Sequence, residues 1–205
     1  MTLPLQIGVT GGIGSGKSTV CAIFESLGIP RYVADDRAKW LMQHDARIRE
    51  AIVERYGDEA YAGGQLNRAY LSEKVFHDEA EVAYLNQLVH PVVGEDYEQW
   101  VKAQQGVPYI VREAAIMLEK GYHEHLHAVI NVAAPPEERL LRVLLRDEHR
   151  NQEQVEAIMA KQLSEEERKK KAQHTIRNYG THMLVPQVLT LDRIFRKAAE
   201  TAASA

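Results

Sequence analysis

Residues 11–18 read Gly11-Gly12-Ile13-Gly14-Ser15-Gly16-Lys17-Ser18 and match the pattern G-x-x-x-x-G-K-[ST]. A phosphate chain is wrapped by backbone N–H groups, so the wrapping residues must lack bulk and tolerate positive φ. The four glycines supply both. A helix starting near Lys17 would aim its unpaired N–H groups and partial positive charge at the same phosphates. In that frame Lys17 reaches the β- and γ-phosphates, Ser18 ligates Mg²⁺ through its hydroxyl, and Thr19 sits in the first helical turn. The candidate cofactors are therefore a nucleoside triphosphate and Mg²⁺, cradled by Gly12, Ile13, Gly14, Ser15 and Gly16. A flexible Gly/Ser loop would not explain why a lysine and a hydroxyl end it where a helix begins.

Two further constellations bear on phosphoryl transfer. Arg139, Arg142, Arg146 and Arg150 recur at steps of three, four and four, which places them along one face of a helix. Leu140, Leu141, Leu144 and Leu145 form a separate packing stripe. A solvated cationic face is the ordinary reading of such a stripe. An arginine-only stripe suits bidentate phosphate recognition better than a Lys/Arg mixture, so Arg139, Arg142 and especially Arg146 are candidate lid residues, Arg150 less so. Asp35 closes a short strand, Arg31-Tyr32-Val33, at the edge where α/β ligand sites form. There it could take an acceptor's proton or organise Mg²⁺, or it could cap the following helix; position alone leaves both open.

Other P-loop classes leave marks that are missing. The sequence has no N-K-x-D or switch-type D-x-x-G, and neither Tyr109-Ile110-Val111 nor Val129-Ile130-Asn131-Val132 ends in a Walker-B aspartate. A compact kinase fits best. A kinase for another nucleoside or nucleotide is the alternative, and a nucleotide-dependent switch stands behind both.

The elements that must position these residues follow from patterning. Gln6 to Thr10, after Leu5, is a short, mostly apolar strand, followed by the glycine turn and a helix from Lys17 to about Leu27, with Gly28 as its C′ residue. From Asp36 to about Gln105 the apolar spacing is helical, with Pro91 opening one of the helices. Strand character returns at residues 108–111 and 128–132. Helices follow from Pro135-Pro136 to about Arg150, from an Asn151 cap to Gln162, and from a Ser164–Glu167 capping box. The run Glu165 to Lys171 reads as a solvated face with i,i+4 pairs. His174 to Arg177 is a last strand, and a terminal helix ends in a frayed tail from Thr201.

Strands alternating with helices give an α/β class with a parallel sheet flanked by helices, the three-layer P-loop NTPase fold. The expected organisation is a single domain, 1–205. Its core is 1–35, 106–134 and 173–205, with a helical insertion at 36–105 and a helical lid at 135–172.

Composition agrees with one globular domain: 205 residues, 45% hydrophobic and 26% charged. The net charge of −4 argues against nonspecific nucleic-acid binding. One cysteine excludes an intrachain disulfide, and no segment resembles a signal peptide or a membrane span, so a cytoplasmic protein with small-molecule partners is the expectation. No nucleic-acid, membrane or protein partner is expected.

The residues resemble dephospho-CoA kinases over nearly the whole chain, to about residue 195. Thr10 to Val20 is similar to that family's P-loop wording, and Ala34-Asp35 with Ala38-Lys39 resembles its D-A-D-x-x-A-R segment. Leu66-Asn67-Arg68 with Leu71 and Phe76 resembles L-x-R-x-x-L…F, and Leu88-Val89-His90-Pro91 matches L-x-H-P. Ile116-Met117-Leu118-Glu119 is similar to P-L-L-x-E, the arginine helix and Gln162 follow in order, and Ile176 to Gly180 resembles I-x-N-x-G. The chain departs from the pattern at Val33, Lys39 and Ala115, which stand for an aspartate, an arginine and a proline.

The resemblance implies ATP-dependent phosphorylation of the ribose 3′-hydroxyl of dephospho-CoA. It implies Asp35 as base or hydroxyl-orienting group, lid arginines closing over the γ-phosphoryl, and Asn178 at the adenine. It implies that the helical insertion 36–105 is acceptor-binding, with Arg68, His90 and Arg112 as candidate acceptor contacts. ATP rather than GTP is likewise a family expectation. The alternating His123, His125 and His127 could bind zinc but read better as a loop. Cys21, Trp40 and Trp100 read as packing.

Overall fold

The computed structural model describes residues 3–75, 78–119 and 121–204. Phe76, the last residue of the L-x-R-x-x-L…F stretch, lies outside them. The described strands are β1 (Leu5–Thr10), β2 (Arg31–Val33), β3 (Tyr61–Ala62), β4 (Gln65–Leu66), β5 (Tyr109–Glu113), β6 (Ala128–Ala133) and β7 (His174–Arg177). The α-helices are α1 (Lys17–Ser26), α2 (Ala34–His44), α3 (Ala46–Tyr56), α4 (Arg68–Val75), α5 (Glu79–Ala103), α6 (Pro136–Arg146), α7 (Gln152–Ala160), α8 (Glu165–Lys171) and α9 (Leu184–Ala203). The chain divides into two compact units, Met1–Val33 with Val101–Ala205, and Ala34–Trp100.

The first unit holds a five-stranded sheet of order β2-β5-β1-β6-β7 in which every pairing is parallel. Its middle strands are near-continuous apolar runs, as strands covered on both faces require; all six residues of β6 are buried. One face packs on α1 and α9, with Val20, Cys21 and Phe24 meeting Val188, Leu191 and Phe195 over Ile7, Val9, Tyr109 and Ile130. Phe24 and Phe195 stand edge-on to Tyr109, and the buried Tyr109 hydroxyl donates to Asp192 at 2.7 Å. Strand order reverses around β1, so the carboxyl end of β1 is the topological switch point where open α/β sheets bind ligands.

Local signals mostly behave as their chemistry dictates. Gly28 adopts φ 81° after α1, with the N–H groups of Gly28 and Ile29 returned to the carbonyls of Glu25 and Phe24 as a Schellman motif. Asn151–Gln154 and Ser164–Glu167 form capping boxes for α7 and α8. Helix α6 departs from expectation. It ends at Arg146, and it turns Arg139 and Val143 inward while Leu141 and Leu145 face solvent. Helix α9 continues through Ala203 rather than fraying from Thr201.

The second unit contains α2 to α4, most of α5, and a hairpin of β3 and β4 that the purely helical expectation lacked. Gly63 and Gly64, both at positive φ, make its two-residue turn. The unit starts at Ala34 and ends at Trp100, against the expected 36 and 105. Leu41, Ile48, Ile52, Leu71 and Val89 are buried. Pro91 lies inside α5 rather than opening a helix. The apolar spacing Val89, Val92, Val93 continues through it, and burial outweighs the one hydrogen bond a proline removes. Trp40 is 47% exposed, stacked on His44 and covered by Arg37, so it is not a core residue. Among the described residues no helix is long and apolar enough to cross a membrane.

Candidate active site

The glycine loop leaves β1 and enters α1 at the carboxyl edge of the sheet. Gly14 and Gly16 take φ 76° and 93°, which side chains rarely adopt, and the loop closes through Ser15 N–H donating to the Gly12 carbonyl at 3.1 Å. Its glycines are required twice over. A Cβ on Gly14 would strike the Arg139 carbonyl, and one on Gly16 would strike the Asn178 amide. Lys17 Nζ folds back onto the carbonyls of Gly11 and Gly12 at 2.9 and 3.3 Å. Thr19 is exposed in the first turn of α1.

Strand β5 runs two residues beyond the apolar stretch read as a strand and ends on Glu113, a carboxylate missed in the sequence. Ser18 Oγ donates to Glu113 Oε1 at 2.8 Å. Arg31 binds Glu113 Oε2 through Nε at 3.0 Å and Nη2 at 2.6 Å, and reaches Glu25 at 3.0 Å. Hydroxyl and carboxylate oxygens are the hard donors that Mg²⁺ takes, and this pair is assembled at the helix N-terminus. Burial first, and the Glu113 charge next, push the Cys21 thiol well above its usual range, so Cys21 is inert packing.

The four candidate lid arginines divide. Arg139 is buried with its guanidinium over Gly12. Arg142 donates to Glu138 at 2.7 Å and to the Asn178 carbonyl at 2.9 Å, and its buried Nη1 has no partner among the described residues. Arg146 is largely exposed and forms two hydrogen bonds with the adjacent Asp147. Arg150, beyond the helix, lies 3.5 Å from Asp147. Asn178 braces the loop from behind: its Nδ2 donates to the Ser15 carbonyl at 2.8 Å and its N–H to the Ala133 carbonyl at 2.8 Å.

The segment read as a solvated face carries a fully buried arginine, Arg168, which lies beside Arg139 at Gly12. Just before it, Gln162 Oε1 accepts the Ile13 N–H at 2.9 Å, and Glu119 Oε1 accepts the Leu163 N–H at 3.2 Å. One signal was present: Arg168 is the arginine in a run otherwise built of lysines. Arg112 lies on β5 with its guanidinium 5.8 Å from the Tyr122 ring centroid.

The remaining expected residues belong to the second unit. Strand β2 ends at Val33 and α2 starts at once, so Asp35 is not the strand's last residue; it is exposed within the first turn of α2 rather than capping it. Arg68 is the exposed first residue of α4, whose N–H at Tyr70 is capped by Asn67. His90 is half-buried in α5. Of the alternating histidines, His127 uses Nδ1 to accept the Gln6 N–H, and no metal-holding group of His, Cys, Asp and Glu occurs among the described residues.

A dephospho-CoA kinase family model matches residues 5–183. A dephospho-CoA kinase of Salinibacter ruber is 43% identical over 197 residues, covering 95% of this chain and 94% of that protein. The crystal structure of TT1252 from Thermus thermophilus superposes with a TM-score of 0.83 at 34% identity, covering 94% of this chain and 98% of that one. A dephospho-CoA kinase from Campylobacter jejuni, at 24% identity and TM-score 0.65 over 96% of this chain and all of its own, shares the fold.

Proposed function

This chain belongs to the dephospho-CoA kinase family, and we propose that it transfers the γ-phosphoryl group of ATP to the ribose 3′-hydroxyl of dephospho-CoA, giving coenzyme A and ADP. The observation that carries this reading is the family match itself, which spans the glycine loop, the arginine helix and Asn178 in one alignment. In the reaction the 3′-oxygen bonds to the γ-phosphorus as the bond to the bridging oxygen breaks, the hydroxyl proton passes to a carboxylate, and ADP leaves.

Asp35 is the proposed base. Its support is its residue type and its place in a first helical turn directly after β2. The loop N–H groups and Lys17 bind the phosphates, and Arg139 and Arg142 add positive charge beside them. Arg146, in the lid expectation with them, would have to exchange Asp147 for phosphate to join. Asn178 holds the loop in its binding shape and is the proposed adenine-side residue. Arg68, His90 and Arg112 are proposed acceptor contacts. Ser18 and Glu113 would hold Mg²⁺, which when bound neutralises charge on the β- and γ-phosphate oxygens.

The test is ATP consumption with and without dephospho-CoA, in wild type and Asp35→Ala. The expected result is a large acceptor-dependent rate that falls by about 10²–10⁴ in the variant, the range for a lost general base. No stimulation by dephospho-CoA would remove the named acceptor, leave the ATP site, and turn the search to other nucleosides and nucleotides.

A further inference from the structure

Two guanidinium groups converge on one glycine. Arg139, on α6, is 6% exposed; its backbone N–H donates to the Pro135 carbonyl, but its buried side-chain Nε has no partner among the described residues. Arg168, on α8, is 1% exposed. Its Nη1 donates to the Leu163 carbonyl, its Nη2 lies 3.1 Å from Glu165, and its buried Nε has no partner among the described residues. A Cβ placed on Gly12 would overlap the Arg139 guanidinium and come within 3.2 Å of Arg168 Nη2. Lys17 Nζ sits on the carbonyls of Gly11 and Gly12, so three cations meet at the second residue of the loop.

Carboxylates compensate the two guanidiniums only in part. Glu165 is the carboxylate paired with Arg168, and its other oxygen already accepts from Asn131 at 2.6 Å. Burial, and after it the neighbouring Arg168 charge, depress the Arg139 pKa, the mark of like charges held together out of water. A buried cation without a counter-ion is strongly destabilising, so such a pair persists where an anion completes it. At a loop of this kind the anion is the nucleotide polyphosphate, and Lys17 marks its β/γ end.

We propose that Arg168 joins Arg139 in a two-guanidinium clamp on the transferred phosphoryl group, which makes Arg168 a catalytic residue. The inference rests on the ATP-binding reading of the loop and names the charge that distinguishes a terminal phosphate. The clamp makes and breaks no bond. It lowers the barrier by meeting charge on the equatorial oxygens in the transition state, where a planar donor fork outperforms an ammonium. The competing role is a brace, in which Arg168 ties only the 163–165 turn.

Titrating ATP and ADP onto wild type, Arg168→Gln and Arg168→Lys, alongside kcat and melting temperature, separates the two. For Arg168→Gln the clamp requires kcat to fall about 10²–10³-fold, as for a lost transition-state donor, with ATP binding weakened about tenfold or more and ADP binding nearly unchanged. Arg168→Lys should recover ATP affinity in part but not kcat. Loss of ATP and ADP affinity in equal measure with a lowered melting temperature, or unchanged kcat and ATP:ADP preference, would overturn the clamp. Should Arg168→Gln fail to fold, Arg168→Lys decides alone: full kcat in that variant sinks the proposal. Wild type that prefers ATP over ADP yet ignores dephospho-CoA would remove the acceptor reading while leaving this comparison intact.

Discussion

In the second unit Arg37 meets Asp96 through two nitrogens at 2.9 and 2.5 Å, Arg47 meets Asp45 and Glu95, and Arg55 meets Glu81 at 2.7 and 2.6 Å. In the first unit, at the glycine loop, Arg139 meets no carboxylate among the described residues and Arg168 shares one with Asn131. The same side chain is therefore used in two ways. Exposed or half-buried pairs such as Arg37–Asp96 cancel charge inside a framework and contribute little net stability. The two buried guanidiniums share one paired carboxylate, Glu165, so their charge is only partly cancelled; on the clamp proposal this costs stability without ligand and is recovered on phosphate binding.

The contrast is broken most severely at Arg139. Arg139→Met should lower kcat by about 10²–10³, as for a lost electrostatic donor, while leaving the nucleotide-free protein as stable as wild type or more so. Paired kinetics and thermal melts check both halves; a destabilised, fully active variant would refute the stored-charge view. Glu113→Ala comes next. It leaves Arg31, whose side chain is only 17% exposed, with Glu25 as its remaining carboxylate, and should cost about 1–3 kcal/mol in urea unfolding as well as the Ser18 partner. Arg37→Ala, in the second unit, should cost about 1 kcal/mol with ATP affinity unchanged.

The smallest effect concerns Glu81, whose carboxyl is held down to about 2 by hydrogen bonds first from Arg55 and then from Tyr56. A depressed folded-state pKa gives stability that is present above the ordinary carboxylate range and is lost as pH falls from there through about 2. Glu81→Gln should remove that contribution, lowering stability at neutral pH slightly because the pair is solvent-screened, and flatten that part of the acid-unfolding curve.

What was legible in the sequence had local causes. The glycine loop shows because backbone geometry dictates residue type at Gly14 and Gly16, and β6 shows because burial on both faces demands a near-continuous apolar run, interrupted in β6 by Asn131. The Asn151 and Ser164 caps and Gly28 are equally local. The Gly63-Gly64 turn carried the usual hairpin signal but flanks strands of two residues each, too short for alternation to register. Glu113 and Arg168 were hidden for a different reason. Their roles come from partners 95 residues away at Ser18 and from a loop more than 150 positions back, and tertiary placement buries an arginine that i,i+4 spacing assigns to solvent. The orientation of α6 is the same lesson: its periodicity is clear, but which stripe faces inward is decided by the loop that its first turn packs against.

The most direct measurement is a single-turnover reaction of wild type with ATP and dephospho-CoA, analysed by mass and by ³¹P NMR of the product. The expected result is one ADP for each acceptor that gains one phosphoryl group, with the new phosphate on the ribose 3′-oxygen. ADP formed without a phosphorylated acceptor, or phosphate on another oxygen, would contradict it.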